Sequence, residues 1–539
     1  MTSRTRTDIL LLAGFCAFLF FYGLGQFGLI GADEPRYAQV AREMLAHHDW
    51  ITPTLGGKPW LEKPPLFYWQ AMLAYSVLGV SDVAARVPSA VDATLLVIAV
   101  YLFFRRFRRV VEVDAALITA SCAGVIGYAR AASTDMPLAA TFGIGMLAWW
   151  AWREGGKQVY LGLFYILMAL GLLAKGPVAP FLAAIVIGLY VFLVGEPRLV
   201  LRTLWIPGIL LFFFVALPWY LAVQIRNPQF FHEFFLEHNL ARFATNLYHH
   251  PEPFWYYLPV IVLALVPWTV FAILAFVQPV RAWWSERKAA AEKPDLELQL
   301  NLFACCWLVV PTAFFSISRS KLPGYILPAV PAGAILLADY LRRRLVQQEP
   351  VPKWAAILHG AVAAAPVVPA LLVAHIVSAH HFPWGRPMRL AVTVAVVLWL
   401  AIAGTLLSRL GWRMLRFVTL IPVVLVVAFV LRFGGKSMDQ TLSARSLAAD
   451  LADVETHQLS VAICGASREL EYGLAFYRNQ RIARYEQGDV PAGEHLVVAP
   501  PAWKQNVIDQ SAGRHVTYLG HYGPQNVDYY FVARAADTH

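Results

Sequence analysis

The sequence predicts a polytopic α-helical membrane protein with about 13 transmembrane helices and a small C-terminal α/β domain. Hydrophobic residues make up 58% of the 539 residues and charged residues only 14%, with a mean hydropathy of +0.54. Soluble domains average about 45–50% apolar and about 25% charged residues. With five cysteines, this composition excludes a soluble globular protein, a disordered chain and a disulfide scaffold.

Apolar stretches of spanning length recur along the chain, since a transmembrane helix needs about 20 apolar residues. They lie at 8–29, 84–104, 113–130, 137–153, 157–174, 177–195, 204–223, 255–279, 300–318, 323–341, 354–377, 389–408 and 415–432. Every second loop is basic, for example at Arg105–Arg109 and Arg342–Arg344. The positive-inside rule then predicts a cytoplasmic N-terminus and an extracytoplasmic C-terminus. The first span could instead be a cleaved signal peptide.

The first outer loop, at about residues 30–83, is predicted to carry two juxtamembrane helices. Residues 36–49 place apolar side chains at helical spacing opposite polar ones, which is typical of a helix in the interface plane. Residues 65–81 are apolar enough to span. Counting them as a span would invert every later loop, so we interpret them as an interfacial or re-entrant helix.

The composition changes after residue 433, which predicts two domains: residues 1–433, with the transmembrane helices and outer loops, and residues 434–539. Short alternating runs in the second domain predict strands at Leu459–Cys464, His495–Ala499, His515–Leu519 and Tyr529–Ala533, with helices near 468–479 and 501–511. This domain lacks a phosphate loop and a dinucleotide fingerprint. We expect it to act as a structural support or a lid.

Ionisable residues concentrate in the predicted outer loops, where charges at the bilayer edge usually have a function. The candidate catalytic carboxylates are Asp33, Glu62 and Asp135. The candidate phosphate-binding cations are Lys63, Lys175, Arg36, Arg242, Arg319 and Lys321. Cations neutralise phosphate oxygens as a leaving group departs, and carboxylates orient an acceptor, act as a base or bind a cation. This set of residues predicts a phosphate-bearing ligand.

Each of these residues also has a purely structural interpretation. Asp33 precedes Glu34-Pro35 at a predicted helix start and could serve only as an N-cap. Glu34 could serve only to complement the helix dipole. Lys175 could extend from the end of a span to the interface. Arg319 and Lys321 could be simple anchors, although their outer position breaks the positive-inside pattern.

The sequence offers weak evidence for a metal site and none for nucleic acid. His249 and Glu252 are candidate ligands for a structural divalent cation, but adjacent histidines such as His249 and His250 are often merely solvated. The net charge of +10 comes largely from topological clusters such as Arg105–Arg109. We therefore expect membrane lipids, and no nucleic acid, as partners.

Six sequence motifs are spread along residues 8–345. They are GADEPRYAQVAREML, GGKPWLEKPPLFYW, STDMPLA, GLLAKGPVAP, HNLARF–HHPEPFWYY and SRSKLPGYILPAVP. These motifs resemble those of the bacterial 4-amino-4-deoxy-L-arabinose lipid A transferases, within the polyprenyl-phosphate-dependent GT-C glycosyltransferases that include the protein O-mannosyltransferases. They also contain Tyr37, Tyr68 and Tyr325, which we consider substrate-pocket candidates.

The resemblance implies a GT-C fold and a specific reaction. A periplasmic active site in the inner membrane would transfer aminoarabinose from undecaprenyl phosphate to a lipid A phosphate, with inversion, and thereby confer resistance to polymyxin and cationic peptides. The family's acidic residues fall on Asp33 and Asp135, and its loop lysine falls on Lys63. Because an acceptor phosphate is already ionised near neutral pH, Asp33 would position or polarise rather than remove a proton. No cofactor would be required.

Two other functions are consistent with the sequence. A paralogous transferase would carry another sugar, or use a protein acceptor, with the same motifs. A lipid flippase or transporter is disfavoured, because the sequence shows no two halves with matching broken helices and the polar residues cluster on one face.

Overall fold

The computed structural model of the chain describes residues 3–241, 252–288, 295–511 and 513–534. Within these ranges, eight helices are long and apolar enough to cross a membrane, or up to ten if each of two bent helix pairs is one span. The chain is therefore a multi-pass membrane protein. The eight are Asp82–Phe107, Gln158–Lys175, Ile206–Arg226, Leu296–Ile317, Pro323–Gln347, Lys353–Leu371, Arg386–Leu407 and Gly411–Leu442.

Helices also occupy the other predicted spans. Ser3–Cys16, Asp135–Gly155 and Val178–Val194 are shorter or less apolar than the eight. Shorter helical segments include Ala17–Phe21, Arg198–Thr203, His232–Ala241, Val373–Ala379, Gly435–Leu442 and Arg445–Asp453.

Two of the predicted spans, at 113–130 and 255–279, are bent helix pairs, a feature that the sequence analysis did not predict. Glu112–Ser121 and Ala123–Ala129 meet at 65°, and Tyr257–Ala264 and the helix from Thr269 meet at 113°. The two breaks face each other, since the Ala123 N–H donates to the Val266 carbonyl at 2.8 Å. Each break therefore satisfies a backbone group that the other leaves free, as the apolar interior requires.

The first long loop, residues 30–83, contains both helices expected there, at Asp33–Ala46 and Leu66–Leu78. A short hairpin joins them, with strands β1 (Thr54–Leu55) and β2 (Lys58–Pro59). Buried residues of both helices form one apolar cluster that includes Val40, Met44 and Met72. The loop is thus a packed layer on one end of the helical bundle, which we call the loop face.

The C-terminal segment folds into a five-stranded mixed sheet. Its strands are β3 (Ser460–Ile463), β4 (Ala483–Arg484), β5 (His495–Ala499), β6 (Val516–Tyr522) and β7 (Val527–Val532), in the order β4-β3-β5-β7-β6. Strand β3 pairs in parallel with β4 and β5, whereas β7 is antiparallel to β5 and β6. The four predicted strands match β3, β5, β6 and β7 within a few residues, whereas β4 was not predicted.

Helices cover both faces of this sheet. Leu496 and Val498 of β5 pack on the side of helix Arg468–Arg478. The alternate residue, Val497, packs with Val507 of helix Lys504–Gln510. The central strand is therefore buried on both faces, which explains why its sequence reads as a continuous apolar run.

Helix Arg468–Arg478 also packs against the first long loop. Phe476 belongs to the apolar cluster of that loop. Arg42 donates to the Phe476 carbonyl at 2.9 Å, and the Leu29 N–H donates to the Tyr477 hydroxyl at 2.7 Å. The C-terminal segment and the first long loop thus form one continuous layer on the loop face.

Candidate active site

Asp33 lies in the first turn of helix Asp33–Ala46, but it is not an N-cap. Ala32 precedes the helix, and no side chain caps it. The Asp33 carboxylate instead accepts a hydrogen bond from Arg36 Nη2 at 2.6 Å, and half of its side chain is exposed (50%). The N-cap interpretation is therefore wrong, and Asp33 presents an oxygen to solvent.

Arg36 connects two of the three predicted carboxylates. Its Nη1 lies 3.7 Å from Glu62 Oε2, in addition to the contact with Asp33. Burial opposes the charged guanidinium, but the neighbouring Tyr37, Glu62 and Asp33 outweigh this effect and raise the pKa of Arg36 above its ordinary value. Arg36 therefore stays charged while largely removed from water.

Glu62 and Lys63 form a buried ion pair next to Arg36. Lys63 Nζ donates to Glu62 Oε1 at 2.9 Å, and both residues are less than a tenth exposed. Glu62 thus balances two cations at once. We call Asp33, Arg36, Glu62 and Lys63 the loop cluster, because all four belong to the first long loop.

Aromatic rings form the wall of the loop cluster. Tyr37 and Tyr68 are buried with ring centroids 6.2 Å apart. The Tyr68 hydroxyl is buried and has no hydrogen-bond partner within the described ranges. Burial raises the pKa of Tyr68, and Glu62 adds to that shift, so the group stays a neutral donor. An unsatisfied buried donor is costly, which makes this hydroxyl a candidate for binding a ligand.

A second cluster lies at the ends of two spanning helices. Asp135 begins helix Asp135–Gly155, and Lys175 ends helix Gln158–Lys175. Lys175 Nζ forms an ion pair with Asp135 and lies 4.6 Å from the centroid of the Tyr325 ring. We call Asp135, Lys175 and Tyr325 the helix cluster. Because Lys175 is paired, it does not simply extend to the interface.

Gly324 allows the helix cluster to pack closely. A Cβ atom at this position would lie 2.7 Å from Asp135 Cγ and 2.7 Å from the Tyr128 hydroxyl. Only glycine tolerates such an approach without displacing its neighbours. The SRSKLPGYILP motif is therefore in direct contact with the STDMPLA motif.

The two clusters face a common region. The Tyr128 phenol lies within electrostatic range of both Asp135 and Asp33. Leu61, next to Glu62, and Leu173, two residues before Lys175, belong to the same apolar cluster. The structure therefore assembles all three predicted carboxylates and three of the predicted cations on the loop face.

The remaining predicted cations are placed differently. Lys321 is buried, and its ammonium donates to the carbonyls of Ser318 and Glu252, the latter at 3.1 Å. Arg319 is exposed and has no ion pair to a described residue. Lys321 therefore satisfies backbone oxygens, whereas Arg319 can contact a ligand.

The predicted metal site is only partly described. Arg242, His249 and His250 lie outside the described residues. Glu252 is exposed. Among the residues that the structure describes, no group of three or more His, Cys, Asp or Glu side chains could hold a metal ion.

Sequence reasoning missed a buried ion pair beside the loop cluster. Both oxygens of Glu34 accept from Arg86, at 3.0 and 2.7 Å, and they also accept from the Ala132 and Ile30 N–H groups. Arg86 uses its other donors on three backbone carbonyls. Glu34 is therefore much more than a helix-dipole partner. The sequence did carry a signal for this ion pair, since Arg86 is a charged residue within an apolar run.

We call Glu34, Arg86 and Ala132 the buried brace. It joins Glu34, next to Asp33, to the backbone N–H of Ala132, three residues before Asp135. Through it, the relative positions of the loop cluster and the helix cluster depend on the N-terminal end of helix Asp82–Phe107.

Comparison with known proteins agrees with this architecture. Residues 7–234 match the family model of dolichyl-phosphate-mannose-protein mannosyltransferases. The structure of ArnT from Cupriavidus metallidurans bound to undecaprenyl phosphate superposes with a TM-score of 0.76, at 23% identity over 97% of each chain. The apo structure of ArnT from the same organism gives a TM-score of 0.72 at 21% identity over 98% of each chain. The fold is that of ArnT, a multi-pass membrane protein.

Curated relatives identify the family. An undecaprenyl phosphate-α-4-amino-4-deoxy-L-arabinose arabinosyl transferase from Aeromonas hydrophila is 31% identical over 81% of this chain and 79% of its own length. One from Pseudomonas aeruginosa is 33% identical over 64% of this chain, and the match spans 61% of that relative's length. The chain belongs to the family of undecaprenyl phosphate-aminoarabinose arabinosyl transferases.

Proposed function

We propose that the chain is an inverting glycosyltransferase that moves 4-amino-4-deoxy-L-arabinose from undecaprenyl phosphate to a phosphate of lipid A. The observation that carries this proposal is the convergence of the loop cluster and the helix cluster. Three carboxylates and three cations meet there at the end of a membrane-embedded bundle. Membership of the arabinosyl transferase family supports the choice of sugar and donor.

The reaction needs one displacement. An acceptor phosphate oxygen attacks the anomeric carbon of the sugar and forms the new C–O bond. The bond from that carbon to the undecaprenyl phosphate oxygen breaks, and undecaprenyl phosphate leaves with the electron pair. The acceptor phosphate is already ionised, so no strong base is needed. Asp33, with one oxygen on Arg36 and half its side chain exposed, would orient the acceptor or the sugar amine.

The cations of the loop cluster and the helix cluster are paired with carboxylates, which limits how phosphate binds. Lys63 pairs with Glu62 and Lys175 pairs with Asp135, so an incoming phosphate would compete with these carboxylates for the ammonium groups. Arg319 and Arg242 would add charge, while Lys321 would hold the loop backbone. Charge-assisted hydrogen bonds to phosphate are short and strong, and they stabilise the departing oxygen.

The tyrosines would form the sugar pocket. Tyr37 and Tyr68 line the loop cluster, and Tyr325 lies against Lys175 in the helix cluster. Aromatic faces exclude water from the site, and the Tyr68 hydroxyl, which has no hydrogen-bond partner in the described part of the chain, can donate to a sugar oxygen. No cofactor is part of this proposal. A structural divalent cation near His249 and Glu252 stays a separate prediction.

We also propose the topology: thirteen spans in the inner membrane, a cytoplasmic N-terminus, and a periplasmic active site and C-terminal domain at residues 434–539. The alternation of basic loops supports this orientation. A reporter active only outside the cytoplasm should be active when fused after residue 433 and silent after Arg344. The reverse pattern at either fusion would contradict the topology.

The decisive test of the function is mass spectrometry of lipid A from cells that lack their own transferase. Expression of the chain should add the mass of aminoarabinose and raise survival in polymyxin, because the cationic sugar lowers the negative charge of lipid A. Unmodified lipid A, with a hexose on lipid or protein instead, would favour the paralogous transferase. The match of residues 7–234 to the mannosyltransferase family model makes that the alternative to test.

A further inference from the structure

The C-terminal segment reaches the loop cluster through the side chain of Tyr472. Tyr472, on helix Arg468–Arg478, lies with its ring centroid 5.6 Å from Arg36 Cζ. Arg36 is the residue that contacts both Asp33 and Glu62. A residue far along the chain thus borders the group that organises the candidate active site.

Contacts that do not involve Tyr472 hold its helix in place. Arg42 donates to the Phe476 carbonyl at 2.9 Å. The Tyr477 hydroxyl accepts from the Leu29 N–H at 2.7 Å and donates to Asp82 at 2.5 Å. The helix position therefore does not depend on Tyr472, and a change at this residue should leave the docking intact.

Arg36 depends on ring packing for its direction. Its Cζ lies 5.1 Å from the centroid of Tyr37, 5.3 Å from that of Trp60 and 5.6 Å from that of Tyr472. Its Nε is buried and has no hydrogen-bond acceptor among the described residues. With its hydrogen bonds incomplete, the guanidinium plane is held partly by the three aromatic rings.

We propose that Tyr472 is a positioning residue of the transfer reaction, which holds Arg36 against Asp33 and Glu62. The C-terminal segment thereby completes the active site, in addition to packing on the loop. This inference rests on the proposed function. Two of the rings around Arg36 come from the first long loop, and the third is supplied only when the C-terminal helix is docked.

The test compares Tyr472→Leu with Tyr472→Phe in the purified full-length chain, supplied with aminoarabinosyl undecaprenyl phosphate and lipid A. Loss of the ring should lower kcat about five- to thirtyfold, the range expected for a cation–π contact. Phenylalanine keeps the ring and should restore kcat to within about twofold of wild type. Thermal unfolding should be the same for all three proteins.

A matched control uses Tyr518→Leu, because Tyr518 is an exposed tyrosine in the same segment. It should leave kcat unchanged. In an Arg36→Lys background, adding Tyr472→Leu should lower kcat by less than about twofold, since the lysine ammonium has no planar face for the ring to hold. Equal losses in both backgrounds, or a Phe variant as impaired as the Leu variant, would overturn the inference.

The two proposals fail in different ways. A wild-type chain that transfers no sugar would overturn both. An active wild-type chain with an equally active Tyr472→Leu variant would overturn only the role of Tyr472.

Discussion

Asp33 and Glu34 are adjacent in sequence and lie in opposite environments. Glu34, in the buried brace, accepts four hydrogen bonds from the protein and is removed from solvent. Asp33, in the loop cluster, contacts Arg36 and leaves half of its side chain exposed. A fully satisfied carboxylate has no capacity left for a substrate, whereas Asp33 has. Two neighbouring acidic residues therefore differ in role: Glu34 holds the framework, and Asp33 faces solvent, where a ligand can reach it.

Breaking the buried brace should have the largest effect of the changes considered, and this effect should be on the stability of the protein. Arg86→Met should lower the free energy of unfolding by about 3–5 kcal/mol, because Glu34 is left as an unpaired buried charge. Unfolding of the purified protein in a denaturing detergent measures this change. The matched control is Arg481→Met, which removes an exposed ion pair with Asp489 and should cost about 0–1 kcal/mol.

A stable Arg86→Met variant that transfers no sugar would reverse the comparison. Arg86 would then contact the substrate, and the buried brace would belong to the reacting site.

Substitution of Asp33 should have the next largest effect, on the rate of sugar transfer rather than on stability. Asp33→Asn keeps the shape, removes the charge and should lower transfer at least about 100-fold, equivalent to about 2.7 kcal/mol of transition-state stabilisation. Lipid A mass spectrometry and polymyxin survival measure it. Asp489→Asn is the control, because Asp489 is also a partly exposed aspartate paired with one arginine.

Asp135→Asn is the parallel test in the helix cluster and should also fold, insert and fail to modify lipid A. Normal modification by Asp33→Asn would remove Asp33 from the mechanism. Normal modification by Asp135→Asn would shift the search to Glu62 and Glu252.

Substitutions of the lysines should have smaller effects than those of the buried brace or of the aspartates. Lys63→Ala and Lys175→Ala should each lower the rate about ten- to a hundredfold, since a charge-assisted contact contributes about 1.5–3 kcal/mol. Glu62 keeps Arg36 as a partner when Lys63 is lost, so folding should persist. Arginine at either position should rescue only in part.

The matched control for the lysines is Lys436→Ala, an exposed lysine whose loss should leave transfer unchanged. Full activity in both Lys63→Ala and Lys175→Ala would show that these ion pairs are structural, like the buried brace.

The sequence alone determined the class of protein and supplied the candidate site residues, which stay predictions. Hydropathy reports whether a local segment is removed from water, so apolar runs predicted helices that the structure contains. Strand β5 lies where alternation predicted it, at His495–Ala499. The acidic first loop also marked Asp33 and Glu62, because charges near apolar spans are rarely without a purpose.

Only the tertiary structure decided which charges are partners. Glu34 meets Arg86, Asp135 meets Lys175, and Tyr472 meets Arg36, and no periodicity relates such distant positions. The same limit applies to the bent spans. At the break beside Cys122, the free N–H of Ala123 donates a hydrogen bond to the distant Val266 carbonyl. A local pattern of apolar residues reports that a segment is removed from water. Pairing depends on how the helices pack, which is a property of the whole fold.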